Sequence, residues 1–227
     1  MYSRTSMNAP HSARIYAVTR KQGRHSLIRL RDAELPVPRP GQYLRVNGVP
    51  WPVIAVDTGG IDCFTPRDPP SPGSSVDIAG PLGEGFEPRP GGALLLGDEA
   101  GLAALVFLAT QLLGAMPALA LLRIQEAPPL RLRPSRILVP GMPAEAIATV
   151  GLLEDSGMAC RVSSAGDLPG CTELPPPALA RRWLAGLASG NRPIIYACGE
   201  AALLNEARTL ARDHGLAIQG VTAHWAG

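Results

Sequence analysis

The sequence predicts a chain in two parts, a small antiparallel β-barrel over residues 12–88 and an α/β unit with a doubly wound parallel sheet over residues 89–227. Short strand-like segments separated by turn residues fill the first part, which is the pattern of a small barrel. Apolar strands alternate with helical segments in the second part, which favours parallel strands joined by helices. The proline- and glycine-rich stretch Glu87–Gly92 marks the boundary between the two patterns.

The barrel prediction depends on short segments separated by Gly, Pro, Asp and Asn. A further strand is expected near Phe64, before Pro72-Gly73. Five or six strands at this spacing are enough to close a small barrel. The other predicted strands are Arg14–Thr19, His25–Arg31, Tyr43–Val46, Pro52–Val56 and Ser75–Ile78.

The second part opens on Ala93–Leu96, a fully apolar segment typical of a strand that is buried on both faces. A long apolar helix is predicted next, over Ala100–Leu113. Pro143 suits the first turn of a later helix, and Gly157 suits its C-cap. The remaining predicted elements are strand Ala118–Ile124, a proline-rich insertion, strand Arg136–Val139, helix Pro143–Ser156, strand Ala159–Ser163, helix Pro177–Ala188, strand Pro193–Ala197, helix Glu200–His214 and strand Ala217–Thr222.

Composition argues against several classes of function. The formal net charge is +2 and the arginines are scattered, so no basic surface for nucleic acid or an anionic membrane is expected. The apolar run Gly101–Met116 is too short for a membrane span, and no apolar stretch follows the basic N-terminal residues. A cytoplasmic protein is therefore expected.

Cysteine and histidine spacing gives no metal site. Cys63, Cys160, Cys171 and Cys198 form no CxxC pair, so buried free thiols are expected in place of a zinc or iron–sulfur site. The four histidines match neither metal nor triad spacing. No metal ligand and no catalytic residue are predicted.

The first candidate site is the turn after the apolar strand, where Gly97-Asp98-Glu99-Ala100-Gly101 leads to Leu102. Ligands of doubly wound sheets lie outside the carboxyl ends of the strands, and the N–H groups of a helix start can hold a pyrophosphate. The carboxylates of Asp98 and Glu99 repel phosphate, and either side chain suits a helix cap. The turn therefore predicts either a nucleotide-binding loop or a capped helix start.

Two further segments are candidates. In Ile194-Ile195-Tyr196-Ala197-Cys198-Gly199-Glu200, a cysteine ends a buried strand, where a nicotinamide would lie. The following helix start is expected to lower the pKa of Cys198, and a packed core thiol is the alternative. In Gly80-Pro81-Leu82-Gly83-Glu84-Gly85-Phe86, three glycines form a rigid turn that also fits a simple domain junction.

In their order and spacing, four segments resemble the electron-transfer subunit of dihydroorotate dehydrogenase, over roughly residues 12 to 216. They are Gly41-Gln42-Tyr43, the Gly80–Phe86 turn, Leu94–Leu102 and Tyr196-Ala197-Cys198-Gly199. The resemblance implies that FAD binds in the barrel cleft, that NAD or NADP binds to the second domain, and that a C-terminal [2Fe–2S] cluster passes electrons to a catalytic partner subunit. The predicted cofactor-binding residues are Trp51, Pro52, Val53, Ile54, Gly80, Pro81, Leu82, Gly83, Gly97, Asp98, Gly101, Leu102, Cys198, Gly199 and Glu200.

Three departures from this family's pattern weaken the implied flavin and cluster sites. Trp51 stands in place of an arginine that would pair with the FAD diphosphate, and Ile54 in place of a hydroxyl that would bond the flavin edge. The proline-rich link Thr65–Ser71 replaces a phosphate loop, and prolines donate no N–H. No cysteine follows Gln219, so an iron–sulfur cluster of the family's kind is not expected.

The sequence leaves three functions open. One is a diverged oxidoreductase subunit that moves electrons between NAD(P)H and FAD or a partner protein. The second is a non-catalytic interaction or scaffold protein that keeps the fold without the flavin. The third is a ferric reductase of the siderophore-interacting type. Proteins of that type have a Gly-Asp-Glu turn, which Gly97-Asp98-Glu99 resembles. Arg123, Arg131 and Arg133 suit either a 2′-phosphate or a solvated surface.

Overall fold

The computed structural model describes residues 11–22, 25–31, 35–66, 68–112, 114–125, 130–166, 168–188 and 190–223. It confirms the predicted fold class, with a closed six-stranded barrel followed by a five-stranded parallel sheet. Leu113, Arg67 and 224–227, which the predictions include, lie outside the described residues. In the part of the chain that the structure describes, no helix has both the length and the apolar character needed to cross a bilayer.

The barrel is formed by strands that follow one another in the order β1-β2-β5-β4-β3-β6, and every neighbouring pair is antiparallel. Several strands run longer than predicted because pairing continues into the turns. The strands are β1 (His11–Gln22), β2 (His25–Arg31), β3 (Tyr43–Val46), β4 (Val49–Asp57), β5 (Gly60–Pro66) and β6 (Ser75–Leu82).

Alternate side chains of the strands fill the barrel, as the two-residue period of a strand requires. On β4, Trp51 and Val53 lie in the barrel interior, whereas Ile54 belongs to the cluster that faces the parallel sheet. Each of the six strands contributes to the interior, for example through Ile15, Ile28, Leu44, Val53, Cys63 and Ile78.

The parallel sheet has the order β11-β8-β7-β12-β13, and it is covered on both faces. Leu95 packs in the cluster that contains α1 and α2, whereas Leu94 and Leu96 pack in the cluster that contains α3 and α4. The sheet is therefore doubly wound, as predicted. The elements are β7 (Ala93–Gly97), α1 (Leu102–Gln111), β8 (Ala118–Arg123), β9 (Leu132–Pro134), β10 (Ala148–Val150), α2 (Gly151–Asp155), β11 (Cys160–Ser163), α3 (Pro176–Ala185), β12 (Ile194–Gly199), α4 (Ala201–His214) and β13 (Ile218–Thr222).

The prediction for the segment between β8 and β11 is wrong. Strand Arg136–Val139 is absent, because the N–H groups of Arg136 and Ile137 bond to the buried carboxylate of Glu154 at 2.9 and 3.2 Å. Helix Pro143–Ser156 shrinks to α2, since residues 148–150 pair instead with β9 in a two-stranded ribbon. Long-range partners decided the structure of this segment over its local pattern.

Helix α1 connects the two parts of the molecule. Phe107 of α1 lies in the cluster of the barrel interior, and Ile54 and Phe64 of the barrel lie in the cluster around α1. The chain between barrel and sheet is also fixed, because Gln219 accepts the N–H of Glu87 at 2.9 Å and donates to its carbonyl at 2.8 Å. Barrel and sheet are thus packed on each other through an apolar contact.

Candidate functional site

A cavity of about 260 Å³ lies at the carboxyl ends of the parallel strands. In the sheet, β7 lies between β8 and β12. The chain continues from β7 to β8 on one side of β7 and later returns to place β12 on its other side, so the strand order reverses between β7 and β12. Such a reversal opens a crevice where doubly wound proteins bind ligands. The crevice is lined by Asp98, Glu99, Ala100, Arg123, Gln125, Pro175, Pro176, Pro177, Glu200, Ala202, Leu203 and Glu206.

Two glycines allow the elements at the crevice to approach closely. A Cβ on Gly101 would lie 1.9 Å from the carbonyl oxygen of Cys198, so only glycine brings the start of α1 onto the end of β12. A Cβ on Gly199 would lie 2.4 Å from a carboxylate oxygen of Asp98. The predicted segments around Gly97 and Cys198 are therefore in direct contact.

The carboxylate of Asp98 connects two helix starts. Its Oδ1 accepts the N–H of Gly101 at 3.1 Å, and its Oδ2 accepts the N–H of Glu200 at 2.7 Å. Burial raises the pKa of Asp98 above its ordinary value, although these two N–H bonds act in the opposite direction. Asp98 thus holds N–H groups that a phosphate would otherwise use, but it is not the N-cap residue of either helix, since Gly101 and Glu200 occupy those positions.

The crevice wall is acidic. Glu99, Glu200 and Glu206 line it together with Asp98, and Arg123 is the cation among its described lining residues. Glu99 also extends toward the barrel, where its Oε1 lies 3.8 Å from Nδ1 of the buried His25, and its Oε2 accepts the N–H of Gln125 at 3.2 Å. A phosphate would therefore find its favourable partner at the Arg123 side.

Cys198 is a buried thiol whose surroundings disfavour the thiolate. Its side chain is 1% exposed and lies in the cluster around α1 with Tyr196 and Leu102. Burial raises the pKa of Cys198, and the nearby charge of Asp98 raises it further. The expectation of a lowered pKa is therefore wrong, because desolvation disfavours the thiolate.

The segment predicted to hold the flavin is packed inside the protein. Trp51 and Val53 are 3% and 0% exposed in the barrel interior. Pro52 is also buried, and Ile54 packs among residues of α1. None of the four cavities characterised along the described residues is lined by these side chains. The predicted role of these residues in flavin binding stays a prediction.

The turn at the barrel exit packs against the segment that precedes β3. The Gln42 side chain donates to the carbonyl of Gly83 at 3.1 Å, and Phe86 donates its N–H to the carbonyl of Pro40 at 2.7 Å. A Cβ on Gly85 would lie 2.8 Å from Cβ of Arg39. The residues of the turn, which follow Gly80, Pro81 and Leu82 at the end of β6, therefore form a packed junction at the barrel exit. The predicted role of Gly80, Pro81, Leu82 and Gly83 in cofactor binding stays a prediction.

Sequence reasoning missed part of the crevice. Glu206 carries no local signal, since it lies more than one turn inside α4. Pro175–Pro177 had a usable signal, because prolines suit a helix start and helix starts surround such crevices. Among the described residues, no group of three or more His, Cys, Asp or Glu side chains is arranged to hold a metal ion.

The sequence matches no protein-family model and no curated protein sequence. Solved structures share its fold. A cytochrome P450 reductase from Amycolatopsis aligns with a TM-score of 0.64 and 18% identity, over 96% of this chain and 72% of the other. A ferredoxin NADP+ reductase from Neisseria gonorrhoeae with bound FAD and NADP aligns with a TM-score of 0.63 and 12% identity, over 94% and 98%.

A siderophore utilization protein from T. fusca aligns with a TM-score of 0.60 and 17% identity, over 96% of this chain and 93% of the other. Identities this low show a shared fold and not a shared function. The closer resemblance to the dihydroorotate dehydrogenase subunit stays a prediction.

Proposed function

We propose that the protein is a ferredoxin-reductase-like electron-transfer oxidoreductase whose parallel-sheet domain binds a nicotinamide nucleotide in the crevice. The observation that supports this most is the position of the crevice, at the strand-order reversal between β7 and β12 and among the starts of three helices. Ligands of this fold class bind at that point. The similar fold of a reductase structure with bound FAD and NADP supports the same function.

Charges in the crevice suggest how the nucleotide would lie. The guanidinium of Arg123 would pair with a phosphate at the end of β8. The carboxylates of Glu99 and Glu200 would accept hydrogen bonds from the ribose hydroxyls. A bound nicotinamide supplies hydride chemistry. The two domains of this proposal are residues 12–88 and 89–227.

The electron acceptor in this proposal is FAD held through other contacts, or a partner protein. Trp51 and Ile54 are buried, and their side chains carry neither the guanidinium nor the hydroxyl that the resemblance implies at the flavin strand. The P450 reductase among the structures of similar fold supports a protein acceptor as one alternative.

A second candidate function is an interaction or scaffold protein that keeps the reductase fold without the flavin. Two observations favour it: the interior position of Trp51, and the carboxylate of Asp98 in place of a phosphate at two helix starts. The ferric-chelate alternative is supported by the similar fold of the siderophore utilization protein, but the described lining of the crevice holds four carboxylates and one arginine and offers no basic pocket.

Two measurements test the proposal. The visible absorbance spectrum of the purified protein, before and after added FAD and desalting, shows whether a flavin is retained. Calorimetric titration with NADH and NADPH, and reduction of an artificial dye, show nucleotide binding and electron transfer. Protein that retains no flavin, binds neither nucleotide and reduces no dye would contradict the electron-transfer function and leave the scaffold function.

A matched pair of variants locates the nucleotide. Arg123→Gln should weaken NADPH binding about tenfold, since one charge-assisted hydrogen bond is lost. Arg181→Gln removes an exposed arginine of α3 that is not among the crevice residues, and it should leave the affinity unchanged. Equal affinities for both variants and wild type would place the nucleotide elsewhere.

A further inference from the structure

A second cavity, of about 410 Å³, lies beside the ribbon β9–β10. Its walls are mostly apolar, and they include Leu130, Leu132, Ile147, Leu168 and Pro169. It shares no described lining residue with the crevice at the strand ends. Its size and its apolar walls with few polar groups are those of small-molecule sites.

The walls of this cavity are held by main-chain hydrogen bonds. The N–H groups of Ile147 and Ala148 donate to the carbonyl of Gly170 at 2.9 and 2.6 Å, which fixes the turn at 168–171 against the ribbon. Gly170 has a φ of +74°, and a Cβ there would lie 3.0 Å from Cγ1 of Ile147. The floor belongs to the main core, where Leu130 and Ala148 are buried. The walls of the cavity are therefore fixed by hydrogen bonds and by core packing.

One cation remains available at the edge of the cavity. Arg133 also lines it, but its guanidinium contacts the carboxylates of Asp155 and Glu154. Arg131 is exposed and forms no ion pair within 4.0 Å with a described carboxylate, and its positive charge acts on Asp155 only at longer range, where it helps to lower the pKa of that residue. Its main chain is fixed, since its carbonyl accepts the N–H of Gly151 at 2.9 Å. A fixed backbone and an available guanidinium suit an anionic group at the cavity edge.

We propose that this cavity binds a small amphipathic carboxylate, such as a medium-chain fatty acid. Its alkyl chain lies against Leu132, Ile147 and Leu168, and its carboxylate pairs with Arg131. Burial of the chain supplies the favourable free energy, and the ion pair selects an acid over an alcohol or an amine. The site is independent of the nucleotide crevice and of the electron-transfer function.

Calorimetric titration of the full chain with decanoate, below its micelle concentration, tests the site. Saturable binding is expected, with acetate and decyltrimethylammonium binding at least about tenfold more weakly, because the first lacks the chain and the second the negative charge. Amide chemical shifts should change at 130–133, 147–148, 168 and 170. No saturable binding, or equal binding of the cationic probe, would overturn the proposal.

Variants provide the second test. Arg131→Gln should weaken decanoate binding about tenfold. Ile147→Trp, at a position that is 47% exposed and therefore tolerant, should weaken it by filling the cavity. Arg136→Gln is the control, since Arg136 is 75% exposed beside the same carboxylates but is not among the lining residues. Unchanged binding in both Arg131→Gln and Ile147→Trp would contradict the site, even if the nucleotide experiments succeed.

Discussion

The barrel and the parallel sheet differ in where they leave polar chemistry. On barrel strand β4, the predicted contact residue Trp51 is 3% exposed and points into the interior, and Ile54 packs on α1. At the ends of the parallel strands, Glu99, Arg123 and Glu200 line an open crevice. The comparison teaches that the side chains of the predicted flavin strand are buried, whereas the charged side chains at the ends of the parallel strands are accessible.

The largest expected effect is on the free energy of unfolding, and it tests the burial of Trp51 in the barrel interior. Trp51→Ala should lower the free energy of unfolding by about 3–5 kcal/mol, because it removes a large side chain from the barrel interior. Urea unfolding measures this loss, and Trp51→Phe should cost less. If Trp51→Ala kept full stability and lost flavin retention, the strand would be a cofactor contact and the comparison would fail.

The next effect tests the close packing of the start of α1 against the end of β12, beside the crevice. Gly101→Ala should lower the free energy of unfolding by about 3 kcal/mol, since its Cβ has no space beside the carbonyl of Cys198. Gly186→Ala is the control, because the nearest atom to a Cβ there is 3.6 Å away. Equal stability of the two variants in urea would show that the start of α1 is free to move away from β12.

A smaller effect is expected at Asp98. Asp98→Asn should bind NADPH about tenfold more tightly than wild type, because a negative charge is removed from the helix starts. Glu206→Gln removes a charge from the same wall without affecting these N–H groups, and it should change the affinity less. Calorimetry that finds the two variants equal would show that only the net charge of the wall matters.

The same residue predicts a pH dependence of stability. The pKa of Asp98 is raised in the folded protein, so the stability that protonated Asp98 contributes is complete below its ordinary pKa. This contribution is lost as the pH rises through the raised value. Asp98→Asn should lack this component in unfolding experiments across acidic pH, and a wild-type slope in the variant would assign the component to other groups.

The smallest effect concerns the thiols. Cys198 should resist alkylation at pH 8 in the folded protein, since burial keeps its pKa raised and blocks access. The half-buried Cys171 should react first, and all four cysteines should react in urea. Mass spectrometry of the labelled protein measures the order. Rapid labelling of Cys198 would show that α1 opens away from the end of β12.

Much of the fold followed from the sequence because its signals are local. The strand His25–Arg31 was predicted to the residue, and the apolar run at Leu94–Leu96 is the central strand that a doubly wound sheet needs. The segment Arg136–Ser156 was predicted wrongly, because the buried carboxylate of Glu154 and the pairing of Thr149 with Arg133 are long-range partners.

For the candidate site, the sequence by itself determined which turns could meet, since the carboxyl ends of parallel strands lie at one edge of a sheet. Only the tertiary structure decided the chemistry there. Contacts between distant segments set the Asp98 carboxylate on the N–H of Glu200, turned Trp51 inward and buried Cys198. Burial and hydrogen bonding depend on atoms from several elements at once, and no local pattern of residues encodes them.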